Sequence, residues 1–315
     1  MKAVRVHRFG GPEVLQVDEV PEPEPGPGEV LIRLRAAGVN PVEAYIRAGQ
    51  YAALPSLPYI PGSDGAGEVA AVGEGVTRLR PGDRVYVHGA PTYAEFTVAR
   101  EDAVWPLPGN LTFEQGAGIG VPYLTAYRAL HFVGRARPGD WVLVHGASGG
   151  VGTAAMQLAA AAGLNVVGTA GSPEGVAYVE SLGAGPAVLH DDLDQAVALT
   201  GGRGFDVILE MAAHQSLGKV LPCLARGGRA VVIGSRGSAE ITPRDLMARE
   251  ASVVGMMRAG GGEEELRRIH QALAPLLRSG LAAPRVGRTL PLAQAADAHR
   301  AILERGFYGK LVLTM

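Results

Sequence analysis

The chain has one cysteine, Cys223, in 315 residues, which excludes an internal disulfide framework and a multi-cysteine zinc site. Aromatics are scarce at 5%, and no basic patch is interleaved with them, so no stacking platform for RNA is evident. The formal net charge is only −2, too small for a global field that would recruit nucleic acid or an anionic membrane. No uncharged apolar run has the length and flanks of a membrane span. The opening residues, MKAVRVHRFGG, lack the apolar stretch of a secretory signal, and a cytoplasmic protein is expected. Lysine is rare as well: 3 against 26 arginines, with neither type between Pro138 and Gly202.

What is present is ample material for packed cores, 47% hydrophobic against 19% charged, in a length that suits two domains. The first third is turn-rich and strand-like, with an alternating strand over Val30 to Leu34 and the turn-and-strand segment PGDRVYVHG. From about Gly118 the texture changes to strand and helix in alternation. WVLVH, NVVGTA, AVLH, FDVILEM, RAVVIGS and ASVVGMM are six continuous apolar runs separated by helical stretches. That pattern predicts a parallel sheet covered on both faces, in an α/β doubly wound (Rossmann) domain. EEELRRIHQALAPLLRSG reads as an amphipathic helix, and the strands after it are too few for a domain of their own. They are expected to complete the N-terminal β domain, giving residues 1–118 with 263–315, and a nucleotide domain over 119–262.

VLVHGASGGVG joins a buried strand to a helix through a glycine turn. Ala147 holds the first fingerprint position, Gly149 the second and Gly152 the third. Gly149 would let the main chain approach a pyrophosphate, and Gly152 would let the helix sit against the strand. The amides of Ser148, Gly149, Gly150 and Val151 would then meet phosphate at the positive helix end. An NAD site usually ends its second strand in Asp or Glu, but here Thr169, Ala170, Gly171 and Ser172 stand there. A 2′-phosphate is therefore not repelled. With no nearby Lys or Arg, its partners are sought at His190 and Arg236, after the third and fifth strands; NADPH is favoured over NADH.

VRVHRFGGPEVL, GVNPVEAYIRAGQY, LPYIPGSDGAGEV, GAGIGVPYLTAYRAL, VLVHGASGGVG, VGTAGSPEG, EITPRDLMARE and GKLVL together resemble the zeta-crystallin-like, zinc-independent quinone oxidoreductases of the medium-chain dehydrogenase/reductase superfamily. The likeness runs over nearly the whole length. It implies a GroES-like β domain beside the nucleotide domain, NADPH as cofactor, and a quinone or activated alkene as substrate. It further implies homodimers or homotetramers joined through the edge strand of the cofactor sheet. By position it implies cofactor contacts at Tyr45, Ser148 to Val151, Gly171, His190, Ile233, Gly234, Ser235, Arg236, Met256, Met257 and Arg258, with Ser216 at a position held by asparagine in the family. Where zinc alcohol dehydrogenases of the superfamily place cysteine and histidine ligands, this chain has Asn40 and Ser63, so no metal is expected. A 2-alkenal or enone reductase, or a non-enzymatic NADPH- or RNA-binding protein of the crystallin type, are the alternative roles that the resemblance leaves open.

Asn40, Tyr45 and Tyr51 share one turn-rich segment and are the catalytic candidates. Asn40 would orient the nicotinamide or a carbonyl; Tyr45 or Tyr51 would hydrogen-bond the developing oxyanion. Thr125 is a further candidate for the nicotinamide side, against the ordinary fate of a helix hydroxyl bonded to its own backbone. Arg47 is expected at the surface, Glu210 in a structural hydrogen bond and Cys223 in the core. His145, His299 and the other histidines apart from His190 show no ligand spacing and receive no role.

Overall fold

The structure, a computed structural model, describes residues 1–304 and 306–315, without the side chain of residue 259. It divides into two compact units, residues 1–121 with 283–315 and residues 122–282. Strands along the chain are β1 (Lys2–Val6), β2 (Leu15–Glu19), β3 (Glu29–Val39), β4 (Asp64–Val72), β5 (Arg84–His88), β6 (Phe96–Arg100), β7 (Val104–Pro106), β8 (Trp141–His145), β9 (Asn165–Ala170), β10 (Ala187–Leu189), β11 (Phe205–Glu210), β12 (Leu224–Val232), β13 (Ser252–Gly255), β14 (Val286–Pro291) and β15 (Lys310–Thr314).

The first unit is a seven-stranded sheet in the order β14-β15-β3-β4-β5-β7, with β6 also on β3, and a separate β1–β2 pair. The late strands do return to it: β15 lies antiparallel to β3, pairing Leu311 with Val39 and Val312 with Gly38. On the other side of β3, Gly38 faces Asp64 at the start of β4. Three strand ends therefore meet at Asn40, Asp64 and Lys310. Gly38 makes the room, because a Cβ there would sit 2.7 Å from Lys310 Cε and clash with the Ala117 carbonyl.

The second unit carries a six-stranded parallel sheet ordered β10-β9-β8-β11-β12-β13, which is 3-2-1-4-5-6 in chain order. Val142, Leu143, Val144, Ile208 and Leu209 are inaccessible to solvent, as a sheet covered on both faces requires. β13, the ASVVGMM run, is one edge and β10 the other. The order reverses between β8 and β11, and ligand crevices in such sheets open at the strand C-termini beside the reversal.

The helix Gly262–Ser279 falls in this second unit, whereas the sequence pattern placed the boundary at 263. Its Glu265 pairs with Arg128 at 2.7 Å, and Ile269, Leu273 and Leu277 are buried. Periodicity shows which face of a helix is apolar but not which core receives it. The other boundary lies at 121 rather than 118.

Candidate functional site

At the end of β8 the chain turns at Gly146, whose φ of +97° lies in the region that favours glycine. Ala147 is fully buried, and its methyl has a place because β9 carries glycine opposite: a Cβ on Gly168 would lie 2.8 Å from the Ala147 Cβ. The missing first glycine is thus compensated one strand away. At Gly152 a Cβ would clash with the Gly146 carbonyl and approach Ala147 Cα to 2.6 Å, so this glycine permits helix-on-turn packing. Gly149 differs. It has ordinary φ and ψ (−82°, 174°), and a Cβ there would meet nothing within 4 Å. Its bareness is needed neither for the turn nor for packing, and it leaves open space before the helix Gly150–Ala161.

That helix begins with no side-chain cap and no acidic residue in its first turn. Its leading N–H groups have no partner within the helix and carry the positive end of its dipole. Ser148 stands half-buried beside them. A phosphate diester fits this cradle by charge, by donors and by the space at Gly149.

The neighbouring strand ends add the other polar groups. Thr169, fully buried at the end of β9, has its hydroxyl 2.9 Å from His145 Nδ1 and 2.7 Å from His190 Nδ1. Burial lowers the pKa of His190; burial and then His190 push that of His145 down to about 4. Gly171 follows β9 and is exposed, and the Ser172 hydroxyl accepts from Gly175 N at 3.2 Å, capping the next helix. Ile233, Gly234, Ser235 and Arg236 follow β12; Ser235 and Arg236 are exposed, and Arg236 N donates to His214 Nδ1 at 3.2 Å. Met256, Met257 and Arg258 follow β13, with Met257 62% exposed and Met256 nearly buried. Ser216, on the helix after β11, turns its hydroxyl to Glu210 Oε1 at 3.0 Å. Glu210 also accepts from Ala212 N at 2.7 Å, and burial raises its pKa. The residues expected to hold a dinucleotide after β8, β9, β10, β12 and β13 thus share one end of the sheet. Thr125 is buried on the helix Gly120–Tyr127, and Cys223 is buried in the sheet's core cluster.

In the first unit, Asn40 caps the helix Pro41–Arg47, and its amide N–H donates to Glu43 Oε2 at 2.9 Å. Its side-chain Nδ2 donates to Glu43 Oε1 and Asp64 Oδ2, both at 3.0 Å. Lys310 Nζ donates to Asn40 Oδ1 at 2.5 Å and to Asp64 Oδ2 at 3.2 Å. Val121 N reaches the other Asp64 oxygen at 2.8 Å. Tyr93 donates its hydroxyl hydrogen to Glu43 Oε2 at 2.8 Å and lies 3.1 Å from His299 Nε2. Burial raises the Glu43 pKa against the opposing pull of Lys310, and holds that of His299 down to about 3. All these side chains are nearly or fully buried. Asn40 is spent within the cluster.

Tyr45 and Tyr51 are half-buried on and just beyond the same helix. Neither lines the cavity of about 340 Å³ in this unit, whose walls are Ile46, Leu54, Pro55, Ile60 and Pro61, with Glu43, Tyr59 and Ser63 as its polar side chains. Burial pushes the Tyr59 pKa up to about 12. Arg47 corrects the surface expectation: it is 4% exposed, turned inward at the helix end, with Nε and Nη1 buried and without hydrogen-bond partners.

Residues 26–109 match the alcohol dehydrogenase GroES-like domain, and residues 150–274 match the zinc-binding dehydrogenase family. Over 322 residues the chain is 46% identical to the quinone oxidoreductase of Rattus norvegicus, covering all of this chain and 98% of that one. The chain belongs to the quinone oxidoreductase family. A solved member, from Thermus thermophilus and described both alone and in complex with NADPH, superposes with a TM-score of 0.88 at 36% identity over the full length of both chains. A structure described as an NAD-dependent alcohol dehydrogenase gives 0.90 at 34% over the same coverage, so the fold alone does not choose the nucleotide.

Zinc, which the second family match carries in its name, does not fit here. The positions expected for ligands hold an amide and a hydroxyl, and the Lys310 ammonium already sits 2.5 Å from Asn40 Oδ1. Among the described residues no three His, Cys, Asp or Glu side chains gather as a metal site. Sequence reasoning missed Glu43, Asp64, Tyr93, His145, His299 and Lys310. Only Glu43 had a local signal, the capping spacing of Asn40, Pro41 and Glu43 ahead of an apolar helix.

Proposed function

We propose that this chain is an NADPH-dependent quinone oxidoreductase that works without zinc. The observation that carries it is the end of β9, where no carboxylate stands and His190 flanks Gly171, next to an uncapped helix faced by a bare Gly149. A carboxylate would repel a 2′-phosphate; an imidazole and backbone N–H groups accept it. Gly149, Gly150 and Val151 hold the pyrophosphate, His190 and Arg236 the 2′-phosphate, and residues 256–258 the nicotinamide side. When bound, NADPH supplies a hydride.

The protein's own part is orientation and charge stabilisation. Tyr45 or Tyr51 donates a hydrogen bond to the oxygen of the acceptor as it gains negative charge. A quinone spreads that charge through its own conjugation and needs no Lewis acid, whereas an unactivated alcohol does. β13, as an edge strand of the sheet, supports homodimers or homotetramers built by strand pairing.

Initial rates with 1,2-naphthoquinone, 9,10-phenanthrenequinone and a 2-alkenal, each with NADPH and NADH, test this. Quinone turnover with NADPH is expected; turnover of the alkenal alone would make the chain an enone reductase, and silence with every acceptor would leave a binding protein. Arg236→Ala should weaken NADPH by ~1.5–3 kcal/mol, the scale of a charged hydrogen bond, while sparing NADH. Equal losses for both nucleotides would remove Arg236 from the phosphate.

A further inference from the structure

Where β8, β9 and β10 end, the Thr169 hydroxyl oxygen has three polar neighbours: His145 Nδ1 at 2.9 Å, His190 Nδ1 at 2.7 Å and the Gly146 amide nitrogen at 3.3 Å. The two rings lie with centroids 4.7 Å apart. A threonine hydroxyl has one hydrogen to give and two lone pairs to offer. The Gly146 N–H only donates and takes one lone pair. One imidazole must then accept the hydroxyl hydrogen at Nδ1, while the other gives its Nδ1–H to the second lone pair. Two bare Nδ1 atoms would compete for a single hydrogen. Two Nδ1–H groups would compete for a single lone pair and leave the hydroxyl hydrogen without an acceptor. Burial disfavours the charged form of both rings, so each carries one hydrogen, and the two rings hold opposite tautomers.

The free edge of His190 borders the open side of Gly171: a Cβ there would lie 3.7 Å from His190 Nε2. This strand end is the one that reads the ribose 2′-position in dinucleotide folds. An ionised phosphate monoester only accepts hydrogen bonds, whereas a hydroxyl both gives and accepts. The other charges felt at the two rings are Asp191 and Lys219, themselves paired at 3.3 Å.

We propose that Thr169 and His145 act as positioning residues that set the tautomer of His190, making its Nε2–H a donor selective for a phosphate monoester over a hydroxyl. With the phosphate at Nε2–H, Thr169 gives its hydroxyl hydrogen to His190 Nδ1, and His145 donates Nδ1–H to the Thr169 oxygen. The trio gains and loses no proton: the hydroxyl rotates, and each ring exchanges which nitrogen bears its hydrogen through solvent. A 2′-hydroxyl satisfies either arrangement and selects neither. Discrimination thus arises without lysine or arginine on this stretch of chain. This selectivity rests on the NADPH reading above; the opposite tautomers of the free protein do not.

Nitrogen-15 correlation spectra of the intact wild-type protein report the tautomers directly, with 2′,5′-ADP and 5′-ADP as probes for calorimetric titration. The free protein should show one Nδ1–H and one Nε2–H ring, and 2′,5′-ADP should leave His190 wholly in the Nε2–H form. Thr169→Val should reduce the preference for 2′,5′-ADP over 5′-ADP by roughly fivefold, and Thr169→Ser should retain it. Like tautomers on both rings of the wild type overturn the coupling whatever the variants do. A preference lowered by His190→Ala yet unmoved by Thr169→Val overturns the coupling alone and leaves the cofactor reading standing. No preference in the wild type overturns both.

Discussion

The glycine turn after β8 and the charged cluster around Asn40 are built on opposite plans. The turn works through what it omits: side chains at Gly146, Gly149 and Gly152, a cap on its helix, and a carboxylate at the end of β9. The cluster works through what it brings together, with Asn40, Glu43, Asp64, Tyr93, His299 and Lys310 bonded to one another away from water. A site left open can receive a ligand. A network whose members bond one another, with His299 Nδ1 alone left unpartnered among them, holds the strand ends instead, since each buried polar group is costly unless paired. The two regions should therefore answer mutation in different currencies, binding for the turn and stability for the cluster.

The largest effect is expected at Lys310. Lys310→Ala strips the cation from Asp64 and the donor from Asn40, both buried, and should cost about 3–5 kcal/mol in urea unfolding. A loss under about 1 kcal/mol would mean that the cluster does not hold the strand ends. Within the turn, Gly152 and Gly149 should separate. Gly152→Ala forces a methyl against the Gly146 carbonyl and should destabilise by about 1–3 kcal/mol. Gly149→Val enters open space, so it should leave the melting temperature nearly unchanged while weakening NADPH by about tenfold or more. If Gly149→Val bound NADPH normally, the space before the helix would not be the phosphate site.

Acid should strain both regions through one buried histidine each. The folded-state values, about 4 for His145 and about 3 for His299, lie below the ordinary value. As pH falls below ~6.5 the unfolded chain takes up protons that these rings refuse when folded. Stability should then drop by up to about 1.4 kcal/mol per pH unit for each ring, levelling off below the folded values and flat above ~6.5. His145→Gln and His299→Gln should each remove one share of that acid slope in unfolding curves from pH 4 to 7. An unchanged slope in both would mean that neither ring is kept neutral by burial.

The same contrast explains what could be read in the chain. The six parallel strands, the glycine turn and the bare end of β9 each lie within a short window, where periodicity and residue type suffice. The cluster is non-local: Lys310 and Asn40 are 270 residues apart, and Tyr93 and His299 are 206 apart. Nothing near Lys310 announces that it will begin an antiparallel strand beside Asn40. Arg47 misled for a related reason, because helix composition places arginine outside, while in the fold it shares the buried face of its seven-residue helix with Glu43 and Ala44. His145 read as a strand residue, and only the pairing of β8 with β9 brings it to Thr169.

The most direct measurement is a pair of fluorescence titrations, NADPH and NADH against the purified chain, in excess chelator. NADPH should bind at least about tenfold more tightly than NADH, with no loss on metal removal. Equal affinities, no binding at millimolar nucleotide, or a need for added zinc would contradict a phosphate held between a bare helix end and a strand end free of carboxylate.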